Sequence, residues 1–279
     1  IGIIQGDKRI TKQITVATIQ TLVRHPELVD RIKDKFGMVI VDECHGSITT
    51  KQLKVIQSFN PHRLYGLTAT PRRTDQQSDA IGFTFGPVII DKDMERASPV
   101  VMRVDSAVHI PMSENYHEII DEQINNERRN TIIQRIASTE INEGRRVLIL
   151  TKRIEHYRKI MDGLGTIEGK FSIDSELPAQ QRHKLLTALR DGSSDFRVIG
   201  GTYSMLATGT DIPALDTLIF AGDLKSDVLQ EQSAGRILRL FGDKQSPKII
   251  DIVDTGNKIL LYQAKARMKF YQAMGWEVI

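Results

Sequence analysis

Two adjacent acids at the end of an apolar run are the first residues whose types suggest chemistry. Asp42 and Glu43 follow the apolar residues 38–41 in the stretch MVIVDECH. A continuous apolar run is typical of a strand buried on both faces of a parallel sheet, and ligands bind at the edge where such strands end. Asp42 could hold Mg²⁺ there, directly or through water, and Glu43 could orient a water molecule beside a γ-phosphate. The alternative is an acidic turn that only faces solvent.

A second stretch, LTATP, ends another predicted strand soon after the acids. Thr68 and Thr70 offer two small hydroxyl groups at the exit from that strand, and Pro71 ends it. These hydroxyls could bond to the acids and respond to the state of a bound nucleotide. His45 fits a hydrogen-bonding residue between two parts of such a site better than a metal ligand, and Cys44 fits simple packing.

Two arginines lie at helical spacing in the stretch QSAGRILR, which begins at Gln232. Arg236 and Arg239 are neighbours on one face of a helix, because side chains three residues apart lie close together. Two guanidinium groups on one face suit a triphosphate whose charge grows during hydrolysis, where one such arginine accelerates the reaction by about 10³–10⁵. An amphipathic helix with exposed arginines is the alternative.

The stretch GTYSMLATGTDIP follows the predicted strand FRVIG and contains several small and polar residues. Gly209 and Asp211 mark a loop whose backbone approaches a ligand closely, and Asp211 could accept a hydrogen bond from a ribose or order the arginine helix. Thr202 and Ser204 could contact a nucleic-acid phosphate, a contact that positions a strand without reading its bases. A purely structural turn is the alternative.

Strands and helices alternate along most of the chain, which predicts an α/β fold with parallel sheets. Apolar runs such as GMVIVDE, RLYGLTAT, RRVLILT and DTLIFAG alternate with helical patterns. An irregular stretch containing RRTDQQSD separates two halves of similar architecture. We therefore place a first domain at residues 1–112 and a second at residues 113–279.

The composition is that of an ordinary globular protein, with 40% hydrophobic and 26% charged residues. A net charge of +3 neither requires nor excludes nucleic acid, because a local basic channel would be enough. The single cysteine cannot form an internal disulfide, and no apolar run approaches the ~20 residues that span a bilayer. These features predict a cytoplasmic protein without a membrane partner. The basic residues that could line a nucleic-acid track are Arg72, Arg73, Lys152, Arg153 and Arg182.

Taken in order, these stretches resemble the motifs of superfamily 2 helicases and translocases. DECH resembles motif II, LTATP motif III, GTYSMLATGTDIP motif V and QSAGRILR motif VI, while ITVATIQTL and RVLILTKRIEHYRKI resemble motifs Ib and IV. FGMVIVDECH and RLYGLTATPRR are most similar to the branch of XPB-type repair helicases, type I restriction translocases and branch-migration helicases of T4-like and T5-like phages. The resemblance covers nearly the whole chain, and the order of the motifs is more specific than any one of them.

The resemblance implies two RecA-like parallel-sheet domains in tandem, with ATP and Mg²⁺ between them and single-stranded DNA across both. It implies that the two acids of motif II and the two arginines of motif VI act together in ATP hydrolysis. Thr18 and Gln20, in the stretch similar to motif Ib, would contact nucleic acid. The choice of DNA over RNA, and a role in recombination or repair, follow from the branch alone.

One family motif, the phosphate-binding loop G-x-x-x-x-G-K-[ST], does not occur in the sequence. Gly169 and Lys170 are no substitute, because Phe171 follows them. We therefore expect an N-terminally truncated first domain, a further N-terminal part of the same protein, and negligible ATP hydrolysis by residues 1–279 alone. Two other functions stay open: a non-catalytic nucleic-acid-binding RecA-like module, and the motor subunit of a type I restriction enzyme.

Overall fold

The fold is taken from a computed structural model, in which the described residues are 1–44, 49–68, 78–90, 97–203, 212–222, 224, 230, 233–235, 237–238, 242 and 244–279. The chain divides into two compact units, Ile1–Asp93 and Met94–Ile279. Among the described residues, no helix has both the length and the apolar character needed to cross a membrane.

The first unit contains two small sheets and short helices. Its strands are β1 (Gly2–Gln5), β2 (Lys8–Ile10), β3 (Thr15–Ala17), β4 (Met38–Val41) and β5 (Arg63–Gly66). Its helices are α1 (Ile19–Arg24), α2 (Pro26–Ile32), α3 (Thr50–Ser58) and α4 (Ser78–Phe85). Strand β1 pairs antiparallel with β2 and parallel with β3, and β4 pairs parallel with β5.

The core of the first unit lies between β1 and the helices α1 to α3. Ile4, Leu22 and Ile32 are buried there, and Val55 of α3 packs against them. Helix α3 begins with a capping box, in which the side chains of Thr49 and Gln52 each bond to the other's backbone amide.

Strand β4, which leads to the two acids, differs from the prediction that it is buried on both faces. Met38 and Ile40 are 48% and 56% exposed, whereas Val39 and Val41 are half-buried. In a strand, successive side chains point to opposite faces of the sheet. Among the described residues, the β4–β5 sheet is therefore well covered on one face only.

The second unit is built on a seven-stranded parallel sheet with strand order β12-β6-β11-β10-β7-β9-β8. The strands are β6 (Val100–Asp105), β7 (Val147–Thr151), β8 (Lys170–Ile173), β9 (Val198–Thr202), β10 (Thr217–Phe220), β11 (Lys248–Val253) and β12 (Glu277–Val278). Among the described residues of this unit, the helices include α5 (Tyr116–Asn125), α6 (Glu127–Asn142), α7 (Ile154–Gly163), α8 (Ala179–Asp191) and α9 (Lys258–Ala273).

Continuous apolar runs form the central strands because both faces of this sheet are covered. Leu148 and Leu150 of β7 belong to one buried cluster, and Val147 and Ile149 belong to another. The alternation follows from the two-residue period of a strand. The predicted α/β fold with parallel sheets is confirmed.

The second unit begins earlier than the predicted boundary between residues 112 and 113. The chain divides at Asp93 and Met94, and β6 pairs in parallel with both β11 and β12. Val101 of β6 is fully buried in the larger core cluster of the second unit. This strand follows an irregular stretch in the sequence, so its pairing with strands more than a hundred residues away was not visible.

Candidate functional site

The two acids lie on a turn directly after β4. The backbone N–H of Glu43 donates to Asp42 Oδ1 at 3.0 Å, and both residues are exposed. Glu43 has a φ of 48°, in the left-handed region that residues other than glycine rarely adopt. Such a conformation costs about 1–3 kcal/mol and is common at functional sites, where the surrounding structure enforces it. The acid turn therefore carries backbone strain.

Two backbone hydrogen bonds join the acid turn to the end of β5. The N–H of Leu67 donates to the carbonyl of Val41 at 2.9 Å, and the N–H of Cys44 donates to the carbonyl of Leu67 at 2.9 Å. These bonds continue the β4–β5 pairing beyond the strands themselves. The structure thus places Thr68 beside Asp42 and Glu43 at one edge of the sheet.

Cys44 packs beneath this edge, in keeping with the structural role that its sequence context predicted. It is 1% exposed. A Cβ atom at Gly66 would lie 2.9 Å from Cys44 Sγ and 2.9 Å from Phe85 Cγ. Only glycine at position 66 leaves room for both neighbours, so this residue lets β5 and α4 approach closely under the acid turn.

The chemistry of the acid turn fits magnesium. Mg²⁺ prefers oxygen ligands and usually keeps several waters, so it needs only one or two carboxylates plus the phosphates of a substrate. Asp42 offers an exposed carboxylate of this kind. The described residues contain no group of three or more His, Cys, Asp or Glu side chains able to hold a metal. Asp42 could therefore hold a magnesium ion directly or through water.

Thr18 and Gln20 lie where β3 ends and α1 begins. The N–H of Thr18 donates to the carbonyl of Ile4 at 3.0 Å, and its hydroxyl is 2.8 Å from that of Thr21. The Thr21 hydroxyl also accepts a hydrogen bond from the N–H of Gly6 at 3.1 Å. Gln20 is exposed in the first turn of α1. Of the two predicted contacts, Thr18 helps to form the turn and Gln20 faces solvent.

Thr202, which was predicted to contact a nucleic-acid phosphate, is only 5% exposed. It is the last residue of β9, paired with Thr151 of β7, and β9 lies between β7 and β8. Its side chain is buried because both faces of this sheet are covered. The proposed contact of Thr202 with a nucleic-acid phosphate stays a prediction.

Several predicted site residues lie outside the described part of the chain. They are His45, Thr70, Ser204, Gly209, Asp211, Gln232, Arg236 and Arg239.

The described residues around the two motif VI arginines are buried in a helical pattern. Gln230, Ser233 and Ile237 are fully buried, and Ala234 and Leu238 are 1% and 3% exposed. Spacings of three and four residues are those of one helix face packed on a core. This segment lies in the larger core cluster of the second unit, together with Leu218 and Phe220 of β10.

Two of the predicted track residues lie after the end of β7. Lys152 Nζ is 4.9 Å from the centre of the Tyr116 ring, and Arg153 Nη2 is 3.1 Å from His117 Nδ1. Arg182 of α8, a third predicted track residue, uses Nη1 to donate to the carbonyls of Asp174 and Leu177 in the loop before that helix. Arg182 thus has a structural contact that its sequence position did not reveal.

An ion pair at the carboxyl edge of the second sheet was missed by the sequence prediction. Asp254 directly follows β11 and accepts hydrogen bonds from Ser106 Oγ at 2.6 Å, Gln123 Nε2 at 2.6 Å and Arg129 Nε at 2.8 Å. Burial acts to raise the pKa of Asp254, but the charge of Arg129 and the hydrogen bonds outweigh it and lower that pKa. The sequence feature that could have indicated this site is Asp254 itself, an acid at the end of the largely apolar run KIIDIVD.

His156 of α7 is a further buried member of this hydrogen-bond network and contacts Arg129 and Asn130. Its Nε2 is 3.3 Å from Arg129 Nη1 and 3.2 Å from Asn130 Oδ1, and the residue is 2% exposed. Burial and then the nearby charge of Arg129 lower the pKa of His156 well below its usual 6.5. The imidazole is therefore neutral in the folded protein.

Replacing His156 should change how folding stability depends on pH. The imidazole binds a proton more readily in the unfolded chain, so the free energy of unfolding falls as pH decreases below 6.5. One proton gives at most about 1.4 kcal/mol per pH unit. We expect His156→Gln to flatten this fall in urea unfolding curves between pH 7 and pH 5.5. His183→Gln, at an exposed position of α8, should keep it, and equal slopes in the two variants would contradict the prediction.

Comparison with known proteins supports the same family as the motifs. Residues 1–73 match the family described as "Type III restriction enzyme, res subunit", and residues 127–241 match "Helicase conserved C-terminal domain". Protein 161L of Invertebrate iridescent virus 6 is 30% identical over 268 residues, covering 90% of this chain and 58% of that protein. Protein D10 of Escherichia phage T5 is 28% identical over 285 residues, covering 100% of this chain and 62% of that protein. Both have "helicase" in their names.

A third relative is also known as a structure. The ATP-dependent DNA helicase uvsW of Enterobacteria phage T4 is 24% identical over 256 residues, covering 87% of this chain and 50% of that protein. The crystal structure of T4 UvsW aligns with a TM-score of 0.51 at 21% identity, covering 99% of this chain and 60% of that chain. This chain thus spans about half to three-fifths of the length of the three relatives.

The ordered motifs, the parallel α/β units and these matches agree with one another. The structural likeness supports the RecA-like fold, and the sequence matches place the front and rear segments in helicase-type families. The chain therefore carries a superfamily 2 helicase core.

Proposed function

We propose that these residues form the motor core of an ATP-dependent DNA helicase or translocase that acts in recombination or repair. The observation that carries the proposal is the edge where the Asp42–Glu43 turn is bonded to Leu67, next to Thr68. Exposed acids and a threonine at the carboxyl edge of parallel strands are the groups that a magnesium–nucleotide complex needs. A merely structural acidic turn would have no need of backbone strain at Glu43.

Each proposed residue has a distinct part in ATP hydrolysis. Asp42 holds Mg²⁺ through water, and Glu43 orients the attacking water and accepts its proton. Bound Mg²⁺ would neutralise charge on the phosphates. Arg236 and Arg239 stabilise the charge that grows on the transferred phosphoryl group. The proposed residues that couple the nucleotide to the rest of the chain are His45, Thr68, Thr70, Gly209, Asp211 and Gln232.

DNA is the proposed track, and contacts to its phosphates are the proposed source of affinity. The T4 relative is named a DNA helicase. Aromatic residues make up only 6% of the sequence, which leaves little for a base-stacking platform. Exposed Gln20 and the exposed basic Lys152 are the described candidates for phosphate contacts. Binding should therefore weaken steeply as salt concentration rises.

The test is phosphate release by the complete protein that contains residues 1–279. We expect ATP hydrolysis to be stimulated by single-stranded DNA more than by single-stranded RNA of equal length. If RNA stimulated hydrolysis and DNA did not, the proposed track would be RNA and not DNA. Nucleic-acid binding without hydrolysis would instead support the non-catalytic module, and residues 1–279 assayed alone would show whether they hydrolyse ATP unaided.

A restriction motor is a second candidate, favoured by the family description that residues 1–73 match. Such a motor moves on duplex DNA without separating its strands, whereas a helicase releases a labelled strand. A protein that displaces a third strand bound to a duplex, but releases no labelled strand from a forked duplex, would therefore be the restriction motor. Release of the labelled strand would favour the helicase.

A further inference from the structure

Arg267 of α9 joins three backbone and side-chain groups at the carboxyl edge of the second sheet. Its Nε donates to Asp251 Oδ1 at 2.7 Å, its Nη1 to the carbonyl of Leu224 at 3.3 Å, and its Nη2 to the carbonyl of Ile252 at 3.2 Å. Arg267 is 3% exposed and Asp251 is fully buried. The guanidinium group thus links α9, β11 and the segment after β10.

The Leu224 end of this link belongs to the segment that leads from β10 to the buried motif VI residues. Leu224 is 4% exposed and lies in the same core cluster as Ala234 and Ile237. Two residues earlier, a Cβ atom at Gly222 would lie 3.2 Å from the N of Lys152. The described part of the segment is therefore in contact with the end of β7 on one side and with Arg267 on the other.

Stability alone is a weak reason for this arrangement. Burial raises the pKa of Asp251 more than the charges of Arg267 and Arg103 lower it. The Tyr271 hydroxyl, on the same helix as Arg267, has no hydrogen-bond partner within the described residues. Buried ion pairs often contribute less stability than apolar side chains of the same volume. What an arginine supplies that apolar residues cannot is a planar fork with fixed directions.

We propose that Arg267 is a positioning residue for the proposed arginines Arg236 and Arg239. By holding the carbonyl of Leu224, it fixes the start of the stretch that leads along the chain to the buried residues Gln230, Ser233 and Ile237, among which the two arginines occur in the sequence. This inference rests on the proposed ATP hydrolysis and adds to it a residue outside every motif found in the sequence. A displacement of about 1 Å at a reacting group costs up to about a hundredfold in rate.

Arg103 provides a matched control because it contacts the same carboxylate. Its Nε is 3.5 Å from Asp251 Oδ2, and its Nη2 donates to the carbonyl of Ala264 at 3.3 Å, not to Leu224. Lysine at either position keeps a positive charge beside Asp251. At position 267, however, a single ammonium group cannot hold three acceptors in different directions. Comparing Arg267→Lys with Arg103→Lys therefore separates the backbone contacts of Arg267, to Leu224 and Ile252, from the positive charge beside Asp251.

The experiment measures steady-state ATP hydrolysis, ATP KM and the thermal unfolding midpoint of both variants in the complete protein. We expect Arg267→Lys to lower kcat about tenfold to a hundredfold with an unchanged KM, and Arg103→Lys to leave kcat unchanged. Equal kcat values in the two variants would overturn the positioning role. If Arg267→Lys unfolds, Arg267→Gln and Arg103→Gln are compared in the same way. A wild-type protein without ATP hydrolysis would instead overturn the proposed function.

Discussion

Replacing Arg236 with alanine should lower kcat for ATP hydrolysis by about 10³- to 10⁵-fold, and Arg239→Ala should have an effect of the same kind. The reason is electrostatic, since the transferred phosphoryl group gains charge on its oxygens and a guanidinium group aimed at them stabilises that charge. ATP binding should change much less than kcat. Single-turnover phosphate release and equilibrium binding of a fluorescent ATP analogue separate the two quantities.

The control for this prediction is Arg128→Ala, which removes an exposed arginine from α6. It should leave kcat unchanged, because Arg128 is not among the proposed site residues and an exposed charge is screened by solvent. If Arg236→Ala and Arg239→Ala both retained wild-type hydrolysis, the motif VI assignment would be wrong. Other groups would then have to stabilise the charge on the transferred phosphoryl group.

Replacing Glu43 with glutamine should lower kcat by about 10²- to 10⁴-fold, because the amide cannot accept a proton from the attacking water. Binding of ATP and of DNA should persist, since glutamine has the same shape. Glu27→Gln, at an exposed position of α2, is the matched control and should keep full activity. Hydrolysis at the wild-type rate by Glu43→Gln would show that another group acts as the base.

The variant Glu43→Gly distinguishes the effect of losing the carboxylate from the effect of relieving the backbone strain. Glu43→Gly should also abolish hydrolysis, but it should raise the free energy of unfolding by about 1 kcal/mol, because glycine adopts a φ of 48° without a Cβ penalty. Glu43→Gln keeps the strain and should not be stabilised. Natural proteins often carry strain of this kind where it serves activity.

Much of the fold was predictable because apolar runs report on local burial. VLILT and TLIF form β7 and β10 as expected, with every residue buried. Two features were not predictable from local pattern. Strand β4 is apolar yet half open to solvent, and β6 joins a sheet whose other strands are distant in sequence. Both depend on which elements pack together, and no single stretch encodes that.

The candidate site shows the same division. Asp42 and Thr68 could be expected near each other, because each follows a strand and parallel strands end at the same edge. The left-handed conformation of Glu43 could not, since nothing in DECH requires it. Burial of Thr202 and the three contacts of Arg267 arise from neighbours far along the chain. Arg267 lies in a helix whose pattern looks ordinary, so its sequence position gave no signal.

Both the N–H and the carbonyl of Leu67 form hydrogen bonds with the stretch that carries the two acids. The turn with Asp42 and Glu43 is consequently joined to the turn with Thr68 by main-chain hydrogen bonds. We expect the two turns to move together. A movement of the Glu43 turn would thus reach Thr68 through the main chain, without any relay of side chains. The Leu67 side chain is 52% exposed and takes no part in these hydrogen bonds, so a substitution there that keeps the main-chain geometry should leave the two turns joined.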